Sequence, residues 1–505
     1  MKMWNLKLGS RLFWLQHRLQ LCRVYSQAQL IEQLPKAFSL ESASTTSTVT
    51  QQIQRILKRF PSEIRPISKM DDIPFTPEVL TNHILSYYKS ICNDDSKKRL
   101  FYAYLVKHLG PDRADVHKAA KTLTGMYSKE YYDSSKLLRA EIQLQNVLSP
   151  LYIEIFRWIV QKNGGLKALV DMRSDLLSII RDSNEEGTLV HDLKELDVHF
   201  RSLLSQWFSH GFLDLQQITW QSPCDIIEKV SEYEAVHSIR SWKDIKHRVG
   251  PFRRVFILTH RNMPREPIIV LHSALTQSPS SSVQTLLNRQ VHEIKSLDNV
   301  RSAVFYSISA AHKGLSGIEL GNSLILQVVE ALKKEIPSLQ QFVTLSPVPG
   351  FRKWLEAHLH SCINDSRVFK ISLEKLQELK ILCPDQTNIH SFLQHVLDTN
   401  DWSATASARM NALKQPLMSL CAKYLVNEKR RGFALNPVAN FHIRNGASLW
   451  RLNWLADTSP KGLKDSYGIM ANYKYDLSCM SEYNQHYVLQ GNIHFSDDVG
   501  KLLND

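Results

Sequence analysis

Apolar residues return at intervals of three and four along residues 75–208, then give way to short unbroken runs beyond Gly211. Tyr152, Ile155, Phe156 and Ile159 form one helical stripe that stops at Gly164-Gly165. Leu193, Leu196, Phe200, Leu203, Leu204 and Trp207 form another, while Gly110-Pro111 and Ser149-Pro150 read as helix stops. The segments RRVFILTH, PIIVLHSAL and SAVFYSIS are rich in β-branched and aromatic residues and predict strands. The third runs into a glycine-rich turn, Gly314 to Gly321, then a predicted helix from about Asn322 to Glu335 that Pro337 ends, then a strand, FVTLS. The pattern predicts an all-α helical bundle over residues 75–208 and an α+β domain over 209–505.

A strand, a glycine-rich turn, a helix and a strand make a unit that suits an anion, because backbone amides and the helix dipole face the turn. Taken alone the glycines are a weak signal. The ends of the chain change the picture further. The first 31 residues hold no Asp or Glu, and Trp4, Leu8, Leu12, Leu15, Leu19 and Cys22 lie on one face of a basic helix. That is the composition of a mitochondrial transit peptide over residues 1–25, with Arg23 three residues before a cleavage point after Tyr25. Residues 26–74 read as a linker, Ser/Thr-rich at Leu40–Thr50, and a first helix.

The net charge of +13 raises a nucleic-acid reading, but five of those charges sit in the presequence and the remaining Lys and Arg are interspersed with acids. No zinc-finger or basic-region motif accompanies them, so no nucleic-acid partner is expected, and the basic excess suits a polyanionic small molecule. No apolar run approaches the roughly 18 residues of a membrane span, so no membrane partner is expected either. The seven cysteines at 22, 92, 224, 362, 383, 421 and 479 include no C-x-x-C pair, which argues against structural zinc and for a reducing compartment. His358, His360 and Cys362 alternate in HLHSC without an acidic partner, and no metal is expected there.

The most informative stretch is GFALNPVANFHIRNGASLWRLNW, Gly432 to Trp454, read as a polar loop around an Asn-Pro turn before an apolar strand. It resembles a segment of the malonyl-CoA decarboxylases. So do SQWFSHGFLDLQQITWQSPCDIIEKVSEYEAVH from Ser205, FYSISAAHKGLSGIELGN from Phe305, TLSPVPGF from Thr344 and MANYKY from Met470, in that family's order. The resemblance covers roughly residues 80–480. It implies a helical oligomerisation domain and a GNAT-like, acetyltransferase-type catalytic domain. It also implies conversion of malonyl-CoA to acetyl-CoA and CO2 through an enolate, within fatty-acid metabolism.

The chemistry needs a grip on the coenzyme A handle, a group near the carboxylate or enolate, and a proton donor to carbon. The thioester is the electron sink, so no cofactor is expected. The resemblance implies His442 as proton donor and Ser346 as its catalytic companion, matching an imidazole's ability to pass protons near neutral pH. It implies malonyl-CoA binding at Ser316, Gly317, Ile318, Glu319, Leu320, Gly321 and Asn322, together with Ser346 and His442. Tyr475 is a further candidate donor to the substrate, Lys229 a candidate phosphate partner, and Asn436 a candidate in the Asn-Pro turn. Each has a plainer reading: core aromatic, solvated helix lysine, turn former.

Two departures from the family pattern matter. The vertebrate members end in a peroxisomal Ser-Lys-Leu, whereas this sequence ends Leu503-Asn504-Asp505, which favours the mitochondrial matrix, with a cytoplasmic pool also allowed, over the peroxisome. Cys224 matches a family cysteine tied to inter-subunit disulfides, but Val255 replaces a second one; the expected homo-oligomer, a tetramer by resemblance, need not be disulfide-tuned. The alternatives are a coenzyme A-dependent acyltransferase on the same fold and a scaffold that has lost its chemistry.

Overall fold

The computed structural model describes residues 77–504 apart from 128–132, 184–187, 288–295, 319, 321–323 and 362–406. The expected presequence, linker and first helix therefore lie outside the described residues, as do Glu319, Gly321, Asn322 and Cys362.

Packing divides the chain into two compact units: residues 1–169 with 178–196, and residues 170–177 with 197–505. In the first unit every described element is a helix: α1 (Pro77–Ser90), α2 (Asp95–Leu109), α3 (Arg113–Tyr127), α4 (Ser134–Leu148), α5 (Leu151–Val160), and the outer parts of α6 (Gly165–Asp182) and α7 (Thr188–Trp207). Local chemistry sets the ends. Asp94 accepts from the Lys97 amide to start α2, and Asp133 accepts from the Ser135 amide to start α4. The predicted stripe of α5 is the buried one: Tyr152, Ile155, Phe156 and Ile159 are at most 1% exposed.

The helical stretch does not belong to one unit throughout. Val170–Leu177 of α6 and Asp197–Trp207 of α7 pack with the second unit, although the sequence pattern changes only near Gly211. The apolar period reports helix, not which core the helix face joins.

The second unit is built on an eight-stranded sheet. Its strands are β1 (Leu213–Ile218), β2 (Arg253–His260), β3 (Ile269–Thr276), β4 (Ser302–Ala310), β5 (Gln341–Thr344), β6 (Ser346–Pro347), β7 (Ser448–Asn453) and β8 (Met470–Tyr475). The order is β1-β2-β3-β4-β5-β8, with β6 and β7 also paired to β8. Only β4 and β5 run parallel. Strands β2, β3 and β4 are the three predicted apolar runs, and their residues are buried nearly throughout, so the sheet is covered on both faces. The helices needed below are α8 (Cys224–Glu232), α9 (Leu324–Glu335), α10 (Phe351–Ser361), α11 (Ser407–Val426) and α12 (Pro437–Arg444).

Two irregularities shape the sheet's centre. Opposite His272 and Ser273, β4 carries one extra residue, Tyr306, as a bulge. Pairing between β4 and β5 ends at Phe305 and Thr344, while β4 continues to Ala310 and the other chain turns away into β6. A wedge opens between them.

Candidate active site

His442 does not lie on a loop, as its surroundings suggested, but on helix α12. The Asn-Pro pair is the helix start rather than a turn: the Asn436 side chain accepts from the Ala439 amide at 2.8 Å, and Pro437 takes the first helical position, where an N–H would have no partner. The Asn436 Nδ2 donates to the Pro349 carbonyl at 2.8 Å. Asn436 is fully buried with both ends of its amide engaged, so it fixes the helix rather than meeting substrate. Gly446, at φ +82°, ends the segment against α12; a Cβ there would stand 2.3 Å from the Met480 carbonyl oxygen.

Ser346 approaches from β6, at the wedge. The pairing of β8 with the Phe342–Pro347 stretch keeps one register on either side of Thr344–Leu345, but is rewired between. There the Tyr473 amide donates to Thr344 Oγ1 at 3.0 Å instead of to a carbonyl, and Asn472 Nδ2 donates to the Thr344 carbonyl. The Leu345 amide donates to Phe305 on the other side. Asn472 is itself held by Asn453 Nδ2 at 2.8 Å and Arg451 Nε at 2.9 Å, both donating to its Oδ1.

The result is one hydrogen-bonded line. Ser346 Oγ lies 3.0 Å from His442 Nε2 and donates to Thr344 Oγ1 at 2.9 Å. On the other side of the ring, Tyr475 OH lies 2.7 Å from His442 Nδ1. A serine that donates to Thr344 must accept from the ring, so Nε2 carries the hydrogen and Nδ1 accepts from the phenol. The imidazole also stacks on Tyr473, with ring centres 4.7 Å apart. Tyr475, placed in β8 as a candidate donor to substrate, instead stands behind the histidine.

Burial decides the protonation state. Among the described residues His442 has no carboxylate partner; it is 3% exposed, and loss of hydration pushes its pKa down to about 3. The same burial raises the Tyr475 phenol well above its usual range. At neutral pH both groups are therefore uncharged. The expectation of an imidazole titrating near pH 7 does not hold for this ring.

Ser346 and His442 face a cavity of about 250 Å³ lined chiefly by Phe305, Tyr306, Ile308, Pro347, Val438 and Phe441. One water needs about 10–15 Å³ of such space, so the cavity has room for an acyl thioester head. Among the described residues no Lys or Arg lines it. Ser307, also on the wall, is braced by Glu234, which accepts from its hydroxyl at 2.8 Å.

The glycine-rich turn follows β4 as expected, with a 3-10 turn at Lys313–Leu315 and Gly317 at φ +74°. Ser316 and Gly317 are exposed, Ile318 is half-buried and Leu320 buried. The Ser316, Ile318 and Leu320 amides donate to carbonyls within the turn, so they hold its shape rather than stand ready for an anion. Gly314 is indispensable for packing, since a Cβ would fall 1.9 Å from the Val170 carbonyl oxygen on α6. Arg173, also on α6, donates to the Gly314 and Ser316 carbonyls at 2.7 and 2.9 Å and to Asp197 at 2.8 Å. Nothing in the local sequence marks Arg173, which lies 141 residues from Gly314.

Lys229, on α8, is occupied by Glu266 and the Arg265 carbonyl rather than presented to a phosphate. Cys224 is exposed with a free thiol, and Val255 is buried in β2. His358 bonds the Trp354 carbonyl within α10 and stacks on the Trp354 ring.

Comparison with known proteins places the chain in a family. Residues 109–208 match the family model described as malonyl-CoA decarboxylase N-terminal domain, and residues 211–505 match the C-terminal domain. The sequence is 38% identical over 450 residues to the mitochondrial malonyl-CoA decarboxylase of Anser anser anser, covering 88% of each chain. It is 36% identical to that of Rattus norvegicus, covering 93% of each. The crystal structure of malonyl-CoA decarboxylase from Rhodopseudomonas palustris superposes with a TM-score of 0.73 at 32% identity, over 89% of this chain and 98% of that one. With both domains matched and such identity along nearly the whole length, the chain belongs to the malonyl-CoA decarboxylase family.

Proposed function

We propose that this chain decarboxylates malonyl-CoA to acetyl-CoA and CO2, with His442 delivering the proton to carbon and Ser346 positioning the reacting head. The observation that carries the reading is the buried Tyr475–His442–Ser346 line opening on an apolar cavity. A malonyl carboxylate placed there meets a mostly apolar wall and, among the described lining residues, no cation. Its charge is better spread once the C–C bond breaks, CO2 leaves, and the electron pair passes through the α-carbon to the thioester oxygen. To act as donors beside that developing enolate, the Ser346 hydroxyl turns its one hydrogen from Thr344 Oγ1, and the His442 Nε2–H turns from Ser346, toward the substrate. The proton on Nε2 then forms the new C–H bond at the α-carbon. A neutral imidazole suffices as donor, and the Tyr475 hydroxyl on Nδ1 offsets the negative charge that builds on the ring. The ring regains its proton from solvent after acetyl-CoA leaves, so one proton is consumed per turnover.

The second unit reads as GNAT-like on the same grounds: a strand, a glycine-rich turn, a helix and a parallel strand, with the site at the wedge between β4 and β5. The wedge lets an extended thiol arm lie along the part of β4 that outruns β5. By resemblance the chain forms a homo-oligomer, a tetramer, and acts in the mitochondrial matrix. Relatives named as mitochondrial and the acid-free amphipathic stretch 1–25 support that address.

Incubation of the purified protein with malonyl-CoA alone, followed by chromatography, tests the reading. Stoichiometric acetyl-CoA and CO2 are expected. Acyl transfer only when an amine acceptor is added would instead make it an acyltransferase.

A further inference from the structure

The turn at Ser316–Gly317 carries an arginine that no part of its own sequence supplies. Arg201, on α7, lies over Gly317: a Cβ built there would sit 3.7 Å from both Cζ and Nε and 4.0 Å from Nη2 of its guanidinium. The two arginines at this turn differ in kind. Arg173 is buried, and its donors are spent on Gly314, Ser316 and Asp197. Arg201 is exposed, as are Ser316 and Gly317 beneath it, and it engages no carboxylate or carbonyl among the described residues. Its guanidinium is thus a planar cation held beside an exposed turn with its donors open, which suits bidentate capture of phosphate oxygens. Among the described residues of the turn, the Leu315, Ser316, Ile318 and Leu320 amides are committed internally, so an open donor beside it comes from Arg201.

We propose that Arg201 is the residue that receives the pyrophosphate of the coenzyme A handle, above a turn that Arg173 holds in shape. The inference rests on the malonyl-CoA reading above. It gives the end of α7 a part in substrate recognition, in keeping with its packing in the second unit.

The test compares malonyl-CoA with malonyl-pantetheine, which keeps the reacting head and thiol arm but has no pyrophosphate. Arg201→Ala is expected to raise KM for malonyl-CoA about tenfold, the scale of one charge-assisted hydrogen bond, with kcat within about twofold. KM for malonyl-pantetheine should stay at the wild-type value, and Arg201→Lys should recover part of the loss. An unchanged KM for malonyl-CoA, or an equal rise for both thioesters, overturns the assignment. A wild-type protein that decarboxylates neither thioester overturns the underlying reading instead, so the two failures are told apart.

Discussion

Removing one oxygen tests the histidine mechanism most directly. Tyr475→Phe keeps the ring that packs edge-on against Phe305 but deletes the hydroxyl 2.7 Å from His442 Nδ1. Tyr475 is 2% exposed and His442 3%, so water has no ready route to replace the lost donor. A buried ring nitrogen left without a partner costs about 1–3 kcal/mol, and at about 1.4 kcal/mol per tenfold that is roughly a 5- to 150-fold loss of kcat if the whole cost falls on the transition state. The cost should fall there, because negative charge grows on the ring only as Nε2 gives up its proton. Steady-state production of acetyl-CoA at saturating malonyl-CoA measures it, with circular dichroism confirming the fold and KM expected to change little. A folded variant with kcat within twofold of wild type would refute the argument. So would a higher KM at unchanged kcat, because it would place the phenol on the substrate rather than behind the histidine.

Ser346→Ala should lower kcat by about 10²–10³-fold, as for one positioned donor to a developing oxyanion, and His442→Asn by roughly 10²–10⁴-fold. In the double variant the losses should fall short of additive, since both groups act in one step; full additivity in kcat would separate their roles. With the His442 pKa near 3, kcat should not decline as pH rises through about 6.5, the ordinary histidine value; a tenfold fall per unit above that would mean an imidazolium donor. The same depression means the unfolded chain binds a proton that the folded one refuses. Stability from this residue is present above about pH 6.5 and is lost progressively as pH falls toward 3, which denaturant midpoints in wild type and His442→Asn should reveal as a smaller acid sensitivity in the variant. Asn436→Ala removes a helix cap worth about 0.5–2 kcal/mol and a bond to Pro349 worth about 0.5–1.5 kcal/mol. It should lower the denaturation midpoint while leaving KM near wild type, and a large KM effect with unchanged stability would return Asn436 to the substrate.

What the sequence made legible was decided by how local the physics is. RRVFILTH gave β2 to the residue because a strand buried on both faces reads as an unbroken β-branched and aromatic run, here Val255 to Leu258 between buried Arg and His ends. The α5 stripe was likewise legible because its buried face is apolar. The Asn-Pro pair failed because it is ambiguous locally. It satisfies a turn and a helix start equally, and only the Pro349 carbonyl, 87 residues away, settles which. The candidate pair came from resemblance, not from pattern, since Ser346 and His442 lie 96 residues apart and meet only in the fold, 3.0 Å apart. Thr344, Asn472 and Arg173 were not found at all. Each is an ordinary polar residue whose role lies in tertiary partners far along the chain, among them the Tyr473 amide for Thr344, the Thr344 carbonyl for Asn472 and the Gly314 carbonyl for Arg173. The deepest gap is the charge of His442. A sequence fixes the residue type but not its hydration, and here burial lowers the pKa of a group expected to titrate near neutrality and favours its neutral form. A neutral donor needs a partner on its far nitrogen, and that partner, Tyr475, was already named from MANYKY for a different reason. The residue was legible, while its direction of action depended on which face of β8 meets α12.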